Sequence, residues 1–81
     1  MKTPLISYHK GVMKFDSGDF KGAIAEFDNE LEKVPHYPDV YVYRGRARYI
    51  IGDKDGALGD WIKALELGNR KGDELIEKHF S

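Results

Sequence analysis

Gly18-Asp19-Phe20-Lys21-Gly22-Ala23-Ile24-Ala25-Glu26-Phe27 has a counterpart 34 positions on, Gly52-Asp53-Lys54-Asp55-Gly56-Ala57-Leu58-Gly59-Asp60-Trp61. The order Gly-Asp-x-x-Gly-Ala recurs without a gap. Working outward, Pro4 falls on Pro38, Gly11 on Gly45, and Leu31-Glu32 on Leu65-Glu66. That makes eight identities over the 34 positions from 4 to 37, where composition alone gives about two. Ile6/Val40, Lys10/Arg44, Lys14/Arg48, Phe15/Tyr49 and Glu26/Asp60 keep their chemistry. A period of this length marks stacked helical units, each too small to bury its apolar face alone.

Breakers divide each unit into two helices. Thr3-Pro4 and Tyr37-Pro38 place proline in a first turn, where its missing N–H costs nothing. Gly18 and Gly52 suit a left-handed C-cap, and Asp19 and Asp53 suit the next N-cap. Val34-Pro35 closes the first unit. The pattern predicts helices near 4–17, 20–33, 38–51 and 54–67. A fifth is expected after Asn69 or Gly72, with Leu75, Ile76 and Phe80 covering Leu58, Trp61 and Leu65. Gly11, Ala23, Gly45 and Ala57 are small where paired helices must approach closely.

Composition narrows the function. The 81 residues hold 13 Lys+Arg against 14 Asp+Glu, a net charge of −1, too balanced for a nucleic-acid binder of this size. With no cysteine there is no disulfide, thiolate metal site or cysteine nucleophile. His9, His36 and His79 lack metal-ligand spacing, and no catalytic triad or phosphate loop is present. Gly52-Asp53-Lys54-Asp55-Gly56 has part of a calcium-loop pattern, but its counterpart at Gly18 marks it as an inter-helix turn. Neither enzyme activity nor a cofactor or metal is expected. No leader or membrane-spanning segment is evident, so the expectation is a soluble, cytoplasmic protein with no membrane partner.

Gly11, Phe15, Gly18-Asp19-Phe20, Ala23, Phe27 and Pro35, then Tyr41, Gly45, Tyr49, Gly52-Asp53, Ala57, Trp61, Ala64 and Leu65, make the sequence resemble the tetratricopeptide repeat family. The segments Gly18–Phe27 and Arg44–Arg48 look like a bacterial subtype of it. The resemblance implies an all-α fold of five helices: a right-handed α-α superhelix of two helix-turn-helix repeats plus a C-terminal capping helix. Residues 1–81 would form a single domain, with repeats over 4–37 and 38–71 and the cap over about 70–80. Ser7, Lys54, Glu30 and Asn69 depart from the family pattern.

The family resemblance further implies a protein-interaction module, an adaptor or scaffold, whose first helices line a concave groove for a peptide or partner helix. The residues it points to are Leu5, Tyr8, Val12 and Phe15 in the first unit. In the second they are Asp39, Val42, Arg46 and Tyr49. Each quartet is spaced 3, 4, 3, so each lies on one helical face. Such a face suits a protein or peptide ligand with apolar anchors and an acidic group. Tyr8, Val12 and Tyr43 replace the Lys and two Asn with which some members clamp a chaperone carboxylate, so that ligand is not expected. Arg44 and Arg48 share a face opposite Arg46 and should pair with acids of a neighbouring helix, while Asp28, Glu30 and Glu32 read as a solvated face. The alternative function is self-association: the open end at Ile6, Lys10 and Met13 would take a second copy as a homodimer.

Overall fold

The computed structural model describes residues 5–81. The helices are α1 (Ile6–Asp16), α2 (Phe20–Lys33), α3 (Pro38–Ile50), α4 (Lys54–Glu66) and α5 (Lys71–Phe80). Each packs on the next, and α1 also meets α3. The expected boundaries hold to within about two residues, the usual fraying at helix ends. The expected start at Thr3-Pro4 lies outside the described residues.

Local chemistry accounts for the punctuation. Gly18 and Gly52 have φ of 91° and 97°, the left-handed conformation that side chains resist. Immediately after them, Asp19 and Asp53 accept the amides of Gly22 and Gly56, both at 2.9 Å. Before α5 the side chain of Asn69 does two jobs. Its Oδ1 accepts the Lys71 amide at 2.8 Å, and its Nδ2 donates to Asp39 of α3 at 2.7 Å. The residue in place of the repeat's closing proline thus satisfies the first amide of α5 and ties the entry of that helix to α3.

The small residues do what their spacing implied. A Cβ on Gly11 would run into the Phe27 ring, and one on Gly45 into the Trp61 indole. Phe27, Trp61, Ala23, Ala57 and Val40 are fully buried. The Trp61 Nε1–H still reaches a partner, donating to the Val42 carbonyl at 3.2 Å, as buried indoles usually do.

Two expectations need correction. Leu65 is 40% exposed, because α5 lays its C-terminal half on Trp61 instead. His79 stacks on that indole with centroids 5.5 Å apart, and Phe80 meets it edge-on at 6.0 Å. Glu30 is only 3% exposed and is not part of a solvated face. Leu5, the N-cap of α1, offers no side-chain acceptor, and the Glu30 Oε1 reaches across from α2 to take the Tyr8 amide at 3.2 Å. The carboxylate meets an orphan amide at the positive end of α1, which compensates for its burial.

The arginines divide as their spacing implied. Arg44 donates to Asp60 through Nε and Nη2 at 3.0 and 2.8 Å and to Asp28 through Nη1 at 2.7 Å. Arg48 donates to Asp60 at 3.1 Å. Burial pulls the Arg44 guanidinium pKa down, but its bonds to Asp60 and Asp28 outweigh that and raise it on balance. One buried carboxylate therefore gathers two cations of α3, and Arg44 joins α2 to α4. Arg46 forms no ion pair among the described residues.

Candidate functional site

The first helices α1, α3 and α5 share one side of the stack, where aromatic rings follow one another from helix to helix. The Tyr8 ring lies edge-on to Tyr37 at 5.3 Å and to Tyr43 at 6.0 Å, and Tyr43 lies edge-on to Phe15 at 5.6 Å. On α3, Tyr49 continues the belt to His79 of α5 at 4.4 Å. The guanidinium of Arg46 sits over both Phe15 and Tyr43, at 5.3 and 5.4 Å from their centroids. This contact holds the cation above an aromatic floor while leaving its N–H groups open.

Beside Arg46 the belt opens into a cavity of about 290 Å³ bordered by Phe15, Arg46, Tyr49, Leu75, Lys78 and His79, with Trp61 beneath. Two cations and an imidazole rim it, and no carboxylate lines it. Phe15 and Tyr49 supply an apolar base, with the fully buried Trp61 packed behind it. The site can take a ring or branched aliphatic group on its floor and an anion at its rim.

Three of the residues indicated in the sequence, Phe15, Arg46 and Tyr49, meet in this cavity. Tyr8 and Val12 are half-buried and pack on the core of Ala23, Phe27, Leu31 and Val40, as Phe15 also does. Leu5 is partly exposed just before α1. Val42 is a correction: at 5% exposure it belongs to the interior and offers no contact surface. Tyr43 takes its place beside Arg46. Spacings of 3, 4, 3 and 4, 3, 3 both describe one helical face, so the periodicity admits Tyr43 as well as Val42. Asp39 is engaged by Asn69. Leu75, Lys78 and His79 were not expected in the groove, because the sequence reads α5 as a cover and not as a third groove-lining helix. The 34-residue period marks α5 as a further first-type helix, but it places Lys78 on Arg44, which faces away from Arg46, so it does not single out these residues.

Burial, together with Tyr37, Asp39 and Tyr43, pushes the Tyr8 hydroxyl from its ordinary 10.0 up to about 12, and burial also raises Tyr37. The folded chain thus holds these protons more tightly than the unfolded chain does. Stability is fully present below the unfolded value and is lost as pH climbs from about 10 towards 12. Thermal unfolding followed across that window should show a falling midpoint, and Tyr8→Phe should flatten the fall. An identical slope in the variant would remove Tyr8 from the account.

No family model matches the chain. Curated relatives do, over 63 residues that make up 78% of this chain. Tetratricopeptide repeat protein 36 of Homo sapiens is 35% identical, that of Danio rerio 32%, and the Nematostella vectensis homolog 33%. This is a tetratricopeptide-type repeat protein. The chain spans about a third of the length of these relatives. The tetratricopeptide pairing of a first and a second helix is seen here in α1–α2 and α3–α4, with α5 as a further first-type helix. Among the described residues, no helix is long and apolar enough to cross a membrane.

Proposed function

We propose that this repeat protein is a non-enzymatic interaction module, with residues 4–71 as two repeats and about 70–80 as a cap acting as one binding unit. Its groove takes a peptide or partner segment carrying an aromatic or branched apolar anchor next to an acidic group. The observation that supports this is the pairing of an aromatic floor (Phe15, Tyr49) with a rim that carries Arg46, Lys78 and His79. An anchor on the floor leaves an adjacent carboxylate within reach of Arg46, whose guanidinium is the better partner for a planar anion. Groups this exposed give orientation and a salt-sensitive on-rate more than affinity.

A peptide array testing Phe, Leu or Trp beside Asp, Glu or Lys probes the reading. Peptides with the acidic pairing should bind and lose affinity in high salt. Arg46→Glu with Lys78→Glu should weaken them at least about tenfold while leaving helicity unchanged. Tyr8→Ala is a poor probe, since Tyr8 packs on the core. Preference for the Lys-bearing peptides, or binding indifferent to the double variant, would rule out the groove.

A further inference from the structure

The internal repeat shows what the outer face of α1 lacks. Val40 and Ala47 of α3 are fully buried, whereas their repeat counterparts on α1, Ile6 and Met13, are 54% and 70% exposed. Between them Lys10 matches Arg44, which reaches Asp28 of α2 at 2.7 Å. Lys10 has no ion-pair partner among the described residues. Inside the hairpins Lys14–Glu26 at 3.2 Å repeats Arg48–Asp60 at 3.1 Å, whereas Arg44–Asp60 at 2.8 Å has no counterpart between Lys10 and Glu26. The acid that a preceding second-type helix would supply, Asp28's role toward Arg44, is missing beside Lys10 among the described residues. A depression of about 350 Å³, lined by Lys10, Met13, Lys14 and Glu26, marks the place.

We propose that Ile6, Lys10 and Met13 form a second docking surface, separate from the groove. Its occupant is an amphipathic helix of a partner protein, patterned like α2: an aspartate or glutamate three residues before a leucine, as Asp28 stands before Leu31. The carboxylate meets Lys10 and the leucine covers the aliphatic stripe, as Asp28 meets Arg44 and Leu31 packs with Val40 in the same core. A second copy fits less well. Its α2 already serves α3, and its α4 carries Ile62 where α2 has Asp28, leaving nothing to pair with Lys10.

The probe is a synthetic peptide of residues 19–35, titrated into the isotopically labelled full chain and followed by amide shifts. Shifts along the outer face of α1 are expected, with Phe15, Arg46, Tyr49 and His79 unmoved and Arg46→Glu without effect. Met13→Glu, at an exposed position, should weaken binding at least about tenfold. Lys10→Asp should weaken it about fivefold, and an Asp28→Lys peptide should restore affinity to that variant alone. Shifts confined to the groove residues, or none up to about 1 mM peptide, would overturn the proposal. So would a sedimentation mass showing a dimer that Met13→Glu dissociates, which would make the occupant a second copy.

Discussion

Gly72→Ala is expected to undock α5. Gly72 is buried at the start of that helix, and a Cβ there would strike the backbone carbonyl of Trp61, with the Leu65 amide close behind. A ring or a lysine tail could swing aside, but helix backbone cannot, so α5 must move away from α4. Overpacking of this kind costs about 1–3 kcal/mol, or about 4–8 °C in Tm per kcal/mol for a chain of this size. The consequence reaches the groove, since Leu75, Lys78 and His79 leave together and uncover Trp61. The chain has one tryptophan, so its fluorescence reports the event directly: the emission should shift to the red. Amide exchange over 71–80 should accelerate while α1 to α3 stay protected, and groove ligands should be lost. Unchanged Trp61 emission and Tm would mean that α5 absorbs the methyl group, contrary to the contact described.

Asp60→Ala should cost more than any other change at a charged residue. The Asp60 side chain is 5% exposed and accepts three hydrogen bonds, two from Arg44 and one from Arg48. Removing one member of a buried ionic cluster leaves the others without compensation, typically at about 3–5 kcal/mol. Asp28 touches the same Arg44 but has a side chain 51% exposed, so Asp28→Ala should cost no more than about 1 kcal/mol. Urea melts of the two variants give the comparison. Equal losses would falsify the assignment of Asp60 as the hub. Arg44→Met with Asp60→Leu, which removes Asp60 together with its closest partner, should recover part of the loss, because well-packed apolar groups can replace a buried pair.

Much of this architecture was legible in the residues. The 34-residue period predicted the four repeat helices, and the Gly-Asp pairs predicted turns that the positive φ values and Asp side-chain caps then supplied. Gly11 and Gly45 marked the close approach of paired helices, where the rings of Phe27 and Trp61 are found. These features are readable because each depends on chemistry within a few neighbouring residues, repeated in register.

The candidate site was legible in part. Phe15, Arg46 and Tyr49 were read onto faces that border the cavity, while Val42 was chosen over Tyr43. A helix turns about 100° per residue, so adjacent positions can both satisfy an apolar stripe. Only contact with α1 and α4 decides which of the two is interior.

By itself, then, the sequence determined the helices, the Gly-Asp turns and the small residues where paired helices come close, all local or periodic. The tertiary structure alone decided three things. It sank Glu30 to cap α1 from a neighbouring helix, it made α5 a wall of the groove through Lys78 and His79, and it turned Tyr43 and not Val42 toward Arg46. Each depends on which distant helix arrives and how close it comes. No residue spacing records that, because the free energy lies in contacts between separate helices.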